Sequence, residues 1–122
     1  SVDERRKFKR IFFSMKNGPL AVLSGGIFPE SKLETTVMDL SSGGMGLICK
    51  KDDMMNFKAG DDFIIDAVSG IDGLESFEKI SAKIIWIQDY RDFQHILFGC
   101  EYNDISPTQS DIIQGLIDVW AS

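Results

Sequence analysis

Short runs of aliphatic and aromatic residues alternate along this chain with turns rich in glycine, serine and aspartate. Turns of this composition recur at short intervals, for example NGP at 17–19, SGG at 42–44 and AGD at 59–61. The runs between the turns have the length and the β-branched and aromatic content of β-strands. Six strands are therefore predicted, at residues 20–23, 33–40, 45–50, 63–68, 78–88 and 96–102.

The longest run, 78–88, alternates before it becomes apolar on both faces. Ile80, Ala82, Ile84 and Trp86 share one side of an extended strand, so we expect that side, including Trp86, to face the core. No helical pattern separates the six runs. Strands without intervening helices predict an all-β fold, an antiparallel sheet closed into a barrel.

The hydrophobic period changes near the C-terminus. Ser106, Pro107 and Gln109 have the pattern of an N-cap, a proline in the first turn and a capping-box partner. Apolar residues then recur at helical spacing, which predicts one amphipathic helix over 106–121 whose apolar face packs against the barrel. The apolar positions are Ile112, Ile113, Leu116, Ile117 and Trp120, and we expect Trp120 to be buried.

Length and composition fit one intracellular domain spanning 1–122. The chain has 122 residues, of which 43% are hydrophobic, as in ordinary soluble domains. No apolar run approaches the roughly 20 residues of a transmembrane helix, and the N-terminus does not resemble a signal peptide. Cys49 and Cys100 are too few for a disulfide scaffold and lack zinc-ligand spacing, so we expect a reducing, cytoplasmic location.

The charge is distributed unevenly. The net charge is −6, which argues against a general nucleic-acid-binding protein, because such proteins neutralise many phosphates. Residues 1–16 nevertheless hold six basic and two acidic residues, a net charge of +4, so the rest of the chain carries −10. A short basic segment on an acidic body indicates a local anion-binding site.

The first candidate motif is RRKFKR at residues 5–10. Arg5, Arg6 and Arg10 bring several guanidinium groups into one short segment. A guanidinium forms bidentate hydrogen bonds with a phosphate or with O6 and N7 of guanine, and its flat face stacks on a base. Taken alone, a basic segment of this kind is more often a solvated tail.

The second candidate motif is MDLSSGGMGL at residues 38–47. Asp39 and Ser41 point to the same side of an extended strand, where a carboxylate accepts hydrogen bonds from guanine N1 and N2 and a hydroxyl reaches a phosphate or base edge. Gly43, Gly44 and Gly46 permit positive φ and close approach of the backbone to a ligand. A glycine-rich hairpin without a ligand is the alternative. The run lacks the ending of a Walker loop and no helix follows it.

The two motifs together resemble the PilZ family, in which RRxxxR precedes [DN]xSxxG on a small all-β chain. The late strand FGCEY at 98–102, followed by a helix, is similar to the end of that family's domain. The likeness covers nearly the whole chain. The matching positions are Arg5, Arg6 and Arg10 in the first signature and Asp39, Ser41 and Gly44 in the second.

The resemblance implies a six-stranded antiparallel PilZ-type β-barrel with a C-terminal α-helix and a flexible arginine-bearing segment over 1–16. It further implies a receptor for cyclic di-GMP, a bacterial second messenger, with no other cofactor and no metal. The arginine segment would fold over the ligand and so switch the interaction with a protein effector. An arginine at position 5 favours a stacked pair of ligands over one. The implied ligand-binding residues are Arg5, Arg6, Arg10, Asp39, Ser41, Gly43 and Gly44.

Two alternatives belong to other functional classes. One is a PilZ-like protein-interaction domain that acts without nucleotide, although such a domain has no need for the arginines and Asp39. The other is a barrel that binds single-stranded nucleic acid, which the acidic body disfavours. We predict no enzymatic activity, because the sequence shows no nucleophile–base pair and no metal-ligand set.

Overall fold

The structure, a computed structural model, describes residues 9–52, 55–74 and 79–120. Within these ranges, seven strands precede one α-helix. The strands are β1 (Arg10–Phe12), β2 (Leu20–Ser24), β3 (Lys32–Ser41), β4 (Gly44–Lys50), β5 (Asp62–Ser69), β6 (Ile80–Gln88) and β7 (His95–Tyr102), and the helix is α1 (Pro107–Trp120).

Six of the strands close into an antiparallel barrel. They follow the order β3-β2-β5-β6-β7-β4, and the pairing of β4 with β3 completes the circle. The closed six-stranded barrel with one C-terminal helix confirms the predicted fold. Closure leaves no unpaired edge among these six strands, which removes the usual site of edge-to-edge aggregation.

Strand β1 was not predicted. It pairs antiparallel with the last three residues of β3, on the side that β2 occupies further along the same strand. Residues 10–12 of the segment that we expected to be flexible therefore belong to the sheet, whereas residues 1–8 lie outside the described residues. Residues 78 and 121, at the predicted ends of a strand and of the helix, also lie outside them.

Bulges reverse the inward and outward faces of two strands. The pairing of β3 with β4 shifts at Met38, and that of β6 with β7 shifts at Ile85. One extra residue in a strand exchanges the faces for every residue after it. Ile84 consequently points inward and is 1% exposed, whereas Trp86 lies on the outer face opposite Gly99 and is 36% exposed. The expectation that Trp86 lies in the core was wrong, because it assumed an unbroken alternation.

The barrel interior is filled by the inward faces of all its strands. The rings of Phe28, Phe57, Phe63 and Phe98 pack edge to face, with centroid separations from 5.0 Å between Phe57 and Phe98 to 6.3 Å between Phe63 and Phe98. Phe57 is partly buried and packs against this core. Aromatic rings prefer such tilted contacts because of their quadrupoles. This core holds the barrel strands in register and thereby fixes the outer face on which the site lies.

Helix α1 begins as its sequence predicts. The Gln109 amide N–H donates to Ser106 Oγ at 3.1 Å, and Ser106 N–H donates to Gln109 Oε1 at 3.4 Å, which together form a capping box. Ile113 and Ile117 are fully buried in the core cluster. The helix therefore packs beside β1 and β3.

Trp120, which we expected to be buried, is 61% exposed. It lies in the last turn of α1, where one ring edge meets Phe13 at a centroid distance of 6.4 Å. Helical spacing assigns Trp120 to the apolar face of α1 but does not show how much of that face is covered. Among the described residues, no helix has the length and hydropathy required to cross a membrane.

Candidate ligand-binding site

Strand β1 joins the two sequence motifs. Its register sets Arg10 opposite Ser41 and Phe12 opposite Asp39, on the outer face of the barrel. Arg10 Nη1 donates to Asp39 Oδ1 at 2.7 Å, between residues that are 29 positions apart in the sequence. Arg10 and Asp39 are diagonal neighbours across the β1–β3 pair, a distance that a long side chain spans easily. The pairing of β1 with β3 thus brings together the arginine and the carboxylate that the sequence analysis singled out.

The Asp39 carboxylate is held against strand β4. Oδ1 also accepts a hydrogen bond from the Gly46 amide at 3.1 Å. Gly46 lies directly opposite Asp39, and a Cβ at that position would overlap Oδ2. The absence of a side chain at Gly46 therefore makes room for the carboxylate, which is 16% exposed, whereas the Arg10 side chain is 44% exposed. An ion pair this close to solvent contributes only about 0–1 kcal/mol to stability.

Ser41 closes the hairpin between β3 and β4. Its Oγ accepts hydrogen bonds from the amides of Gly43 at 3.2 Å and Gly44 at 3.1 Å and donates to the Gly44 carbonyl at 3.2 Å. Ser41 is 1% exposed. In this structure the hydroxyl stabilises the turn, and its contact with a ligand stays a prediction.

The glycines of the second motif serve close packing between strands. A Cβ at Gly44 would overlap the carbonyl oxygen of Cys100 on β7, so only glycine fits there. Neither Gly44 nor Gly46 has a positive φ, so the close approach of neighbouring groups, and not left-handed backbone, requires glycine at these two positions. The Gly43 carbonyl accepts the Tyr102 amide at 3.0 Å. The turn is therefore anchored to β7, and ligand contacts of Gly43 and Gly44 stay predictions.

Five residues form one lateral row across the outer face of four strand pairs. The register places Phe12 beside Asp39, Asp39 beside Gly46, Gly46 beside Gly99, and Gly99 beside Trp86. Trp86 packs over Gly99, where a Cβ would overlap its indole. The row thus has an aromatic side chain at each end, with the Asp39 carboxylate and two glycines between them. Neither aromatic residue was among the site residues predicted from the sequence. The signal that reveals them is cross-strand register, which a single sequence does not carry.

The layer beneath the site is apolar and uncharged at neutral pH. Burial raises the pKa of Cys100 to about 12. Burial also raises the pKa of Tyr102 well above its ordinary value, with smaller upward contributions from Cys100 and Asp39. The Tyr102 hydroxyl donates to the Ser41 carbonyl at 3.3 Å. Asp39 and Arg10 therefore lie over neutral groups, and a low-dielectric layer strengthens their interaction with a charged ligand.

Arg5 and Arg6, the other predicted arginines, lie outside the described residues.

Within the described ranges, no group of three His, Cys, Asp or Glu side chains is arranged to hold a metal ion.

Comparison with known proteins gives one family. The sequence model of the PilZ domain matches residues 4–118. No curated protein sequence matches the chain.

Solved structures share the fold at low sequence identity. A structure described as the PilZ domain with c-di-GMP of YcgR from Escherichia coli has a TM-score of 0.72 and 20% identity, covering 96% of this chain and 92% of that one. The Bacillus subtilis inhibitor of motility MotI/DgrA has a TM-score of 0.65 and 19% identity, with coverage of 94% and 50%. The K. pneumonia MrkH–c-di-GMP complex has a TM-score of 0.67 and 13% identity, with coverage of 94% and 52%. This chain therefore spans nearly all of the YcgR domain and about half of the MotI and MrkH chains.

Proposed function

Because the chain belongs to the PilZ domain family, whose model matches residues 4–118, we propose that it is a receptor for cyclic di-GMP. The structures with the same fold include the PilZ domain of YcgR and the protein MrkH, each described in complex with this nucleotide. The proposed role is binding, with no bond made or broken. A receptor for an intracellular second messenger acts in the cytoplasm, and the free, buried Cys49 and Cys100 agree with a reducing compartment.

The contact between Arg10 and Asp39 carries the proposal. It places a guanidinium and a carboxylate side by side on an outer face, at 2.7 Å from each other. A cyclic dinucleotide of guanine presents matching groups: phosphates and the N7/O6 edge for the arginine, and the N1 and N2 donors for the carboxylate. Each side chain exchanges its present partner for one on the ligand. Because both charged groups have hydrogen-bond partners before and after binding, neither the guanidinium nor the carboxylate is left without one.

Guanine selectivity follows from the same carboxylate. Guanine offers two adjacent N–H donors at N1 and N2, and a carboxylate accepts both. Adenine presents an acceptor at N1, which faces the negative oxygens without a proton between them. We therefore expect Asp39 to favour cyclic di-GMP over cyclic di-AMP.

We further propose that binding changes the surface offered to a protein effector. The ligand separates Arg10 from Asp39, so the environment of the short strand β1 differs between the free and the bound states. Arg5 and Arg6 belong to the same basic segment, and we propose that they clamp the ligand together with Arg10. Ordering of the segment around the ligand would convert binding into a surface for the partner.

Calorimetric titration with matched variants tests the receptor proposal. Arg10→Ala removes the guanidinium, and Arg10→Lys keeps the charge without the planar fork. Arg91→Ala is the control, since it removes an exposed arginine from the loop between β6 and β7, at the opposite end of β4 from Gly44. We expect Arg10→Ala to raise the Kd for cyclic di-GMP by about 10- to 100-fold, Arg10→Lys to raise it by less, and Arg91→Ala to leave it unchanged.

The nucleotide controls are GTP and cyclic di-AMP. No heat and no thermal shift with cyclic di-GMP would contradict the receptor proposal and leave a partner-binding domain as the function. Equal binding of cyclic di-AMP by the wild type would contradict the role assigned to Asp39. If Asp39 selects guanine, Asp39→Asn, which replaces one acceptor by a donor, is expected to bind both nucleotides alike.

A further inference from the structure

Phe12 is a large apolar side chain that the fold leaves in solvent. It is 76% exposed, although it is the last residue of β1 and pairs with Asp39 of β3. In β1 the central Ile11 points inward and is 6% exposed, so Arg10 and Phe12 share the outward face. An exposed phenylalanine adds little to stability, because most of its apolar surface remains in water. Stability of the barrel therefore does not explain the ring at this position.

The register sets Phe12 directly beside the carboxylate of the proposed site. The Phe13 amide donates to the Met38 carbonyl at 2.8 Å, which makes the neighbouring Phe12 and Asp39 a non-hydrogen-bonded pair. Side chains of such pairs approach most closely in an antiparallel sheet, with Cβ atoms about 4.5–5.5 Å apart. Both side chains rise from the same face, so a group that meets one also meets the other.

This arrangement matches the two surfaces of a purine. Side chains stand roughly perpendicular to a sheet, so a base that brings its edge to Asp39 stands upright with its face beside the Phe12 ring. Stacking on an aromatic ring holds a base through its face, whereas the carboxylate holds it through its edge. We propose, on the basis of the proposed receptor function, that Phe12 is the stacking platform for the guanine whose N1 and N2 bind Asp39.

The other exposed aromatic residues of the described ranges, Trp86, Tyr90, Phe93 and Trp120, do not pair with Asp39 across a strand. Trp86 is separated from Asp39 by the two glycines of the row and already packs over Gly99. Tyr90 and Phe93 lie in the loop between β6 and β7. Among the described residues, Phe12 is the exposed aromatic residue that pairs directly with Asp39. Phe12 thus has the position that a base-stacking residue requires.

Three substitutions separate stacking from mere apolar contact. Phe12→Leu keeps apolar bulk without an aromatic face, Phe12→Ala removes both, and Phe12→Tyr keeps the ring. Tyr90→Ala is the matched control, because Tyr90 is also an exposed aromatic residue, at 60% exposure, away from the site. We expect Phe12→Ala and Phe12→Leu to raise the Kd for cyclic di-GMP about fivefold or more, and Phe12→Tyr and Tyr90→Ala to leave it near the wild-type value. Thermal unfolding of the unliganded variants tests whether they remain folded.

A spectroscopic readout distinguishes stacking from an indirect effect. The guanine H8 proton of the bound ligand is expected to shift upfield through the Phe12 ring current in the wild type and in Phe12→Tyr, and less in Phe12→Leu. If the wild type does not bind cyclic di-GMP, the receptor function itself fails. If the wild type binds and Arg10→Ala weakens it, but Phe12→Leu matches the wild type in Kd and in H8 shift, the receptor stands and the stacking role of Phe12 is overturned.

Discussion

At the scale of single residues, the position of the Asp39 carboxylate depends on a neighbour without a side chain. Oδ1 accepts the Gly46 amide, and Oδ2 lies where a Cβ of residue 46 would be. The atom in the way belongs to the end of a rotatable side chain and not to the backbone. An added methyl group therefore displaces the carboxylate and leaves the strand pairing in place.

We accordingly predict that Gly46→Ala weakens ligand binding while the fold persists. Displacement of the carboxylate removes its aim at guanine N1 and N2, so we expect the Kd to rise about tenfold or more. Calorimetry measures this change, and urea unfolding measures the free energy of unfolding, which we expect to fall by no more than about 1 kcal/mol.

Two further glycines serve as controls for Gly46→Ala. A Cβ at Gly115, in α1, meets nothing within 4 Å, so Gly115→Ala is expected to stabilise the protein by about 0.5–1 kcal/mol without changing the Kd. A Cβ at Gly44 would overlap backbone, and Gly44→Ala is expected to destabilise the barrel itself. An unchanged Kd in Gly46→Ala would show that the orientation of Asp39 is unimportant for binding.

At the scale of elements, local signals were predictable and long-range pairings were not. The capping box of α1 lies within four consecutive residues, and the sequence predicts its start correctly. Strand β1 has three residues inside a basic segment, and it forms because it pairs with β3, about thirty residues later. No local pattern marks such a strand.

The bulges explain the errors about which face a residue occupies. Alternation places every second residue inward, but the extra residues at Met38 and Ile85 reverse that order. Asp39 and Ser41 both follow the first bulge, so they stay on the same side of β3, opposite Phe12 and Arg10 of β1, although Ser41 itself is buried in the turn. Trp86 follows the second bulge, whereas Ile84 precedes it, so the expectation that both are buried failed for Trp86 alone.

Attachment of β1 to the barrel depends on its one inward residue, Ile11. Ile11 is the side chain that anchors β1 in the core, at 6% exposure. We predict that Ile11→Ala loosens β1 from β3 and raises the Kd for cyclic di-GMP severalfold, although Ile11 faces away from the ligand. Hydrogen exchange of the Phe13 amide, which bonds to Met38 across this pair, is expected to accelerate.

A buried residue on a strand that pairs with neither β1 nor β3 controls for general destabilisation. Val68 on β5 is 5% exposed, similar to Ile11, and Val68→Ala also removes buried apolar volume, one carbon less than Ile11→Ala. We expect Val68→Ala to lower the free energy of unfolding with little effect on the Kd. If both variants weaken binding equally, stability and not the placement of β1 controls affinity.

At the scale of the whole molecule, the closed barrel encloses ionisable groups in their neutral forms. Burial raises the pKa of the Cys49 thiol from 9.0 to about 11 and that of Cys100 from 9.0 to about 12. Tyr102 is shifted in the same direction by burial. All three keep their protons in the folded state at pH values where the unfolded chain releases them.

This difference predicts a loss of stability in alkali, because proton release favours the state with the lower pKa. Below pH 9 both states hold the thiol protons and the free energy of unfolding is unaffected; above pH 9 it falls as pH rises, until the folded thiols ionise at about 11 and about 12. Each thiol adds a slope of at most about 1.4 kcal/mol per pH unit. Urea unfolding between pH 7 and pH 10.5, under reducing conditions, measures the decline, and Cys49→Ala is expected to make it shallower above pH 9. An identical slope in that variant would show that the Cys49 thiol is not held neutral by the fold.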